Sequence, residues 1–203
     1  VFYIIFRLEF IPSYPVIATS SFFERIPGFF SALSNYARIL IFPSNLHMEY
    51  GLKLFYFSEP EVIIGIIILG LSLFVIIKQK NKELFAAFLI IWFIVNLLPV
   101  SNLYPITAYM AEHWLYLPSV GFFSFFAYAL YKNIHSKSIY LICMLIIISI
   151  FSYLTIKQTN YWLDPINFFE RTLRYAPDSY NAYLNLAVAY KDINRPQEAV
   201  ALY

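Results

Sequence analysis

For most of this chain the apolar positions neither alternate nor fall on one helical stripe; they run unbroken. Residues 62–77 carry no charge between Glu61 and Lys78, residues 84–99 open after a basic loop, and residues 114–131 and 138–156 repeat the pattern. A helix needs about 20 apolar residues to cross a hydrocarbon layer ~30 Å thick at ~1.5 Å rise per residue. These four runs are predicted spans, the first slightly short but extendable through its flanks. An earlier apolar stretch, residues 26–42, contains Arg38 and is interrupted by Pro27 and Gly28, so it reads as a re-entrant or interfacial helix.

From Asn160 onward charged residues return at helical intervals among apolar ones, the pattern of helices that face water. With Tyr180 as position one, Tyr183, Leu186, Ala187, Tyr190, Ala199 and Tyr203 match the large, large, small, large, small and aromatic positions of a 34-residue tetratricopeptide repeat (TPR), and Pro177 matches the closing proline of a preceding unit. Small residues at 187 and 199 let two antiparallel helices approach, and Pro177-Asp178-Ser179 supplies a stop followed by N-cap candidates. A generic amphipathic helical pair is the plainer alternative. The predicted fold is all-α: a polytopic transmembrane helical bundle over residues 1–159, then the start of a TPR α-hairpin over residues 160–203. A single repeat buries its apolar face only against neighbours, so further repeats are expected to follow. The chain opens at Val1 without Met and closes in mid-helix, which fits an excerpt of a longer protein. Residues 1–6, too short for a signal peptide before Arg7 and Glu9, read as the end of an upstream span.

Composition agrees with a lipid-facing chain: 61% hydrophobic, 21% aromatic and 13% charged residues, where a soluble domain carries about a quarter charged. The net charge of +2 is scattered, so no clustered footprint for a phosphate backbone exists and nucleic acid is not expected as a partner. The one cysteine, Cys143, lies in an apolar run and reads as a small apolar residue, without a disulfide framework or thiolate cluster. The motifs GxGxxG, HExxH, the phosphate-binding loop and the nucleophile elbow do not occur, which removes the common soluble enzyme classes.

Lysines orient the bundle. Lys78, Lys80 and Lys82 lie between the first and second spans and Lys132 and Lys137 between the third and fourth, whereas residues 100–113 hold neither Lys nor Arg. The positive-inside rule makes the two lysine loops cytoplasmic and places residues 42–61, 100–113 and everything after Lys157 together on the opposite side. Tyr104, Trp114, Tyr116, Tyr140 and Tyr153, near the ends of the runs, fit an interfacial aromatic belt.

Two polar clusters fall on that outer side: FPSNLHMEYG, with His47 and Glu49, and AEHWLYLPSVGF, with Glu112, His113, Tyr116 and Ser119. A charge near lipid costs a few kcal/mol, roughly 2 to 3, unless paired or hydrated, so a Glu-His pair at a span mouth suggests a functional site. The structural alternative stays open: Glu112 complements the N-terminal dipole of the third span while Trp114 and Tyr116 anchor the interface. Glu49 likewise reads either as a site carboxylate or as a solvated loop charge near Lys53. His47 and Glu49 share one side of an extended segment, but without a third ligand no metal site is expected. Arg38 reads as a cation seeking a lipid phosphate or carboxylate, or as a snorkelling interfacial side chain. His135, beside Lys137, reads as an ordinary loop histidine.

From about Phe22 onward, and above all in YMAEHWLYLPSVGF, NAYLNLAVAY and FPSNLHMEYG, the chain resembles the TMTC-type proteins and their bacterial relatives, which join a polytopic membrane half to C-terminal TPRs. His113 stands where animal members usually carry Arg. The resemblance implies a glycosyltransferase of the GT-C architecture, similar to protein O-mannosyltransferases, residing in a bacterial inner membrane or the endoplasmic reticulum membrane with its TPRs on the non-cytoplasmic side. It implies a polyprenyl-phosphate-linked sugar as donor and an extracytoplasmic protein acceptor. Such chemistry needs a carboxylate base, groups that receive the departing phosphate, and exclusion of water. The family's main catalytic carboxylates are expected in an earlier outer loop. Glu49 and Glu112 are therefore assigned supporting catalytic roles, with Arg38, His47, His113 and Tyr116 as substrate-binding residues. The competing reading, from a different class, is a non-catalytic membrane-anchored TPR scaffold for protein partners; a transporter ranks last, because the charges within 62–156, Glu112 and His113 apart, sit in loops.

Overall fold

A computed structural model describes residues 21–50, 53–78, 84–101, 103 and 108–202. Residues 1–6, Lys80, Lys82, Tyr104 and Tyr203, all used above, lie outside the described residues. The rest form helices joined by turns, with no strand among the described residues.

Helix α1, Phe22–Ile41, starts at a reciprocal cap in which the Ser21 amide donates to Glu24 Oε2 at 2.6 Å and the Glu24 amide donates to Ser21 Oγ at 3.3 Å. The break expected at Pro27 and Gly28 does not occur, and one 20-residue helix passes through both. Pro27 lies in the second turn, where it removes only the bond to the Phe23 carbonyl and the helix continues. Its buried face, with Ala32, Leu33, Tyr36, Ile39 and Leu40, forms the core with Phe93, Leu97, Met110 and Leu115.

Among the described residues three helices are long and apolar enough to cross a membrane: Pro60–Lys78 (α2), Glu112–Asn133 and Lys137–Trp162. The second of these is a 3-10 turn, Glu112–Leu115, continued by α4, Tyr116–Asn133; the third is α5. The remaining apolar run is shorter. Helix α3, Leu84–Leu97, has 14 residues and reaches Val100 only through a 3-10 turn containing Pro99. The fourth predicted span also outruns its expected end: α5 stays helical for 26 residues, past the boundary set at 159/160. Polarity changes at Lys157 without interrupting the backbone hydrogen bonds, so composition marked a change of surroundings and not the end of a helix.

Glycines bring the helices together in pairs. A Cβ at Gly65 of α2 would collide with the Phe30 carbonyl oxygen of α1, and a Cβ at Gly121 of α4 would lie 2.7 Å from the Leu89 oxygen of α3. Only glycine permits such backbone contact, a common device where lipid offers no hydrophobic drive for association. Polar bonds fasten the same pairs. Ser31 Oγ donates to Glu61 Oε2 at 3.1 Å, and Trp92 Nε1 donates to the Leu117 carbonyl at 3.0 Å.

After α5, Asp164 caps α6, Pro165–Tyr175, by accepting from the Ile166 amide at 3.0 Å. Ser179 caps α7, Tyr180–Asp192, accepting from the Ala182 amide at 3.1 Å. Helix α8, Pro196–Leu202, returns along α7 after a turn in which Asn194 takes a left-handed φ of 58°. Ala182, Leu186, Ala187 and Ala199 are buried between these helices, with Thr172 of α6.

Candidate functional site

Residues 42–50 form a strap that leaves α1 and runs between the membrane helices and the α6–α7 hairpin. Asn45, with a left-handed φ of 59°, turns it. One side of the strap is held by Glu112. Its Oε1 accepts from the His47 amide at 2.8 Å and from the Tyr50 hydroxyl at 2.5 Å. The opposite side is held by the hairpin. Tyr175 donates its hydroxyl to Asn45 Oδ1 at 3.0 Å and stacks its ring on His47 with centroids 4.6 Å apart, while Ser179 Oγ donates to Glu49 Oε2.

Both open readings of Glu112 find a basis in the geometry: it stands in the first turn of its helix, where its charge meets the N-terminal dipole, and it also bonds the strap. Ala111 occupies the cap position and makes no side-chain cap bond, while the Glu112 carboxylate reaches across to the strap. Glu49, read as a site carboxylate or as a solvated loop charge near Lys53, has a different neighbour in the structure. Lys53 binds Glu59, with 3.2 Å between Nζ and Oε2, and Glu49 meets Ser179 instead. Glu59 itself has a lowered pKa, chiefly because it accepts the Tyr56 amide, so it stays charged beside Lys53.

Burial pushes the His47 imidazole below its ordinary value, against the upward pull of the Asn45 carbonyl and the Glu112 charge. The ring is therefore neutral at pH 7. Its Nδ1 lies 2.7 Å from the Asn45 carbonyl, which can only accept, so Nδ1 carries the hydrogen. Burial raises the Tyr50 pKa, and its bond to Glu112 raises it further; the phenol stays protonated and donates. Partial burial pushes Tyr109, whose ring meets Phe55 edge-on with centroids 4.8 Å apart, up to about 12.

His113 and Tyr116 do not join this network. Both are exposed, and with Glu112, Ser119, Ile39 and Leu46 they line an open groove of about 450 Å³. Arg38 is exposed on α1, its guanidinium 3.4 Å from the Ser44 carbonyl at the start of the strap. The six predicted residues thus divide. His47 and Glu112 are directly bonded, Glu49 is tied to the hairpin from the same strap, and Arg38, His113 and Tyr116 stand around them. Among the described residues no group of three His, Cys, Asp or Glu side chains is placed to hold a metal ion.

Four participants were not singled out from sequence. Tyr50 lay inside the quoted cluster and its phenol could have been noticed there. Asn45 was likewise quoted without a role. Tyr175 and Ser179 lie about 130 positions from their partners, a separation no local pattern can bridge. Tyr36 acts one layer below: its hydroxyl accepts the Ala111 amide at 3.1 Å and donates to the Ala111 carbonyl at 3.4 Å, fixing the residue before Glu112.

The fold and strap define an all-helical membrane-type protein whose membrane-length helices meet a hairpin of water-facing helices. Within that class, the chain is similar to Protein O-mannosyl-transferase TMTC1 from Homo sapiens, at 27% identity over 132 residues, and to the protein of the same name from Mus musculus, at 28% identity over 132 residues. The matched segment is 62% of this chain, which spans 15% and 14% of the length of those proteins. These matches support a distant TMTC-like relationship. No family model and no solved structure matches the chain.

Proposed function

We propose that this chain forms part of a GT-C-like glycosyltransferase that takes a sugar from a polyprenyl-phosphate carrier and passes it to a protein acceptor outside the cytoplasm. Its α6–α8 helices are read as the beginning of a TPR domain that presents the acceptor. The observation carrying this reading is the strap itself: Glu112 holds one side and the hairpin the other, so a protein bound to the hairpin lies next to the groove of Glu112, His113 and Tyr116. The distant similarity to a protein O-mannosyl-transferase is compatible with it.

The TPR reading draws support from burial. Leu186, Ala187 and Ala199, at the repeat's large and small positions, are buried, and α7 and α8 pack as an antiparallel pair. In α6, Phe169 precedes Pro177 by eight residues, as the aromatic position precedes the closing proline, and Thr172 between them is buried. The lysine loops give the sidedness: with Lys78 and Lys132 cytoplasmic, strap, groove and hairpin share the outer face.

In this mechanism Glu112 and Tyr50 act as one hydrogen-bonded unit that sets the strap, and Glu49 couples the strap to the hairpin. Arg38 and His113 are assigned to the donor's phosphate side, Tyr116 to the groove wall, and neutral His47, its ring against Tyr50 and Tyr175, to the shape of the strap beside them. Sugar transfer from a polyprenyl-phosphate-linked donor by the full-length protein is the direct test, with Glu49→Gln and Glu112→Gln beside the wild type. Unchanged activity in both variants removes the strap from the site.

A second reading has its own observation. Glu112 Oε1 already accepts two strap donors, the arrangement of an anchor as much as of a base, and a membrane-anchored TPR scaffold needs nothing more. Absence of sugar transfer with partner binding intact would favour the scaffold.

A further inference from the structure

The polar end of α5 and one face of α6 enclose a cavity of about 450 Å³, closed on its third side by the strap residues Pro43 to Asn45. Helical spacing explains which side chains line it. Lys157 and Tyr161 are four apart on α5, and Arg171 and Arg174 are three apart on α6, so each pair shares one helix face. The lining holds the cations of Lys157, Arg171 and Arg174 against the carboxylate of Glu170, whose Oε1 is engaged by the Tyr190 hydroxyl at 2.9 Å.

Two features mark this as more than a solvated basic face. The Arg171 guanidinium lies over the Tyr161 ring, 4.1 Å from its centroid, and its Nε is buried with no hydrogen-bond partner among the described residues. Stacking fixes the plane of the guanidinium and so the direction in which its remaining N–H donors point. Depth is the second feature. Lys157 is the first charge after the uncharged run 138–156, so the cavity sits where the apolar part of α5 ends, at the level of phosphate headgroups if that run spans the hydrocarbon.

We propose that this cavity is a binding site for a phosphate ester anion, with Arg171 and Arg174 as forked donors and Lys157 as a point charge. Planar guanidinium groups match phosphate oxygens in pairs, and the stacked Tyr161 holds one of them in place before the anion arrives. Because α5, α6 and the strap all contribute, an occupied site would brace the hairpin against the membrane helices. The proposal stands apart from the transferase reading: sugar transfer can be absent while phosphate binding is intact.

Two arms separate the sources of the phosphate. In the first, the full-length protein in detergent is titrated with phosphatidic acid and, separately, with phosphatidylcholine of the same chains, and bound lipid is counted by native mass spectrometry. In the second, the thermal unfolding midpoint is followed while inorganic phosphate is added. Each arm compares the wild type with the Lys157→Gln/Arg174→Gln double variant, both of whose side chains are exposed, and with Lys191→Gln on the far hairpin helix as control. A lipid headgroup site gives a preference for phosphatidic acid that falls roughly tenfold or more in the double variant and is unchanged in the control. A site for free phosphate gives a rise in the midpoint that the double variant loses, without lipid preference. The proposal is overturned if the wild type responds in neither arm, or if the double variant, with an unchanged midpoint in the absence of ligand, responds as the wild type does.

Discussion

The pairs that α2 and α4 make with α1 and α3 and the hairpin solve the same problem, bringing helices close, with different residues, and α5 shows what happens where neither device is used. In the α1–α2 and α3–α4 pairs the contact points are Gly65 and Gly121, where backbone touches backbone. In the hairpin they are Ala182, Ala187 and Ala199, buried beside Leu186 and Thr172. Water drives the hairpin together by excluding apolar side chains, so an alanine-sized gap filled by larger neighbours is enough. Lipid supplies no such drive, and association there depends on backbone proximity and polar bonds such as Ser31 to Glu61. Helix α5 has no glycine at a crossing and not one buried residue, and its Leu and Ile side chains are left to the surroundings.

The strongest break in this comparison is Gly65→Leu. The new Cβ meets the Phe30 carbonyl, which cannot give way as a side chain would, so a loss of about 3 kcal/mol or more is expected, seen as failed assembly or a large fall in the unfolding midpoint in detergent. Ala187→Leu probes the hairpin with an enlargement one carbon smaller. Alanine there is fully buried, and a loss of about 1–3 kcal/mol should appear as faster hydrogen exchange in α7 and α8 while α1–α4 stay protected.

The strap joins the two regions, and Tyr50→Phe tests that joint. Removing the phenol deletes the 2.5 Å bond to Glu112 and costs about 1–3 kcal/mol, with raised exchange confined to residues 42–50 as the expected signature. Acidification acts at the same place more gently. The folded His47 has a lowered pKa, so the unfolded chain binds the proton more readily. Stability contributed by neutral His47 is complete above its ordinary value of about 6.5 and is lost as pH falls from there toward the folded value. Arg38 and Arg171 oppose a charge on the ring and Glu112 favours it, with burial deciding the sign. Protection factors of the amides in residues 42–50, with the intrinsic pH dependence of exchange divided out, should be lower at pH 5.5 than at pH 7.5, and His47→Gln should flatten that dependence. At the small end, Ile146→Leu on α5 should change stability by less than about 0.5 kcal/mol, because the side chain is exposed and the swap stays apolar.

Much of the helical layout was legible because lipid and water impose different composition over long windows. The uncharged runs around 62–77, 114–131 and 138–156 lie in helices long enough to cross a membrane, whereas the run at 84–99 forms a 14-residue helix and a 3-10 turn. Pro27 misled because its effect depends on position within a helix, which a residue name does not report. Glu49 was read beside Lys53 because that is the nearest cation in sequence, while its hydrogen-bond partner in space is a serine 130 residues away.

By itself, then, the order of residues determined that this protein is helical, where apolar runs give way to water-facing helices, and which polar residues gather in the two clusters around His47 and Glu112. Periodicity and composition are local properties, and local energies suffice to express them. Tertiary structure alone decided that Glu112 grips the strap, that Tyr175 and Ser179 hold the strap's other side, and that Lys157, Arg171 and Arg174 converge on one cavity. Those pairings follow from how rigid helices cross, and the crossings are set by close approaches such as Gly65 on Phe30, which depend on residues remote from the groups they bring together.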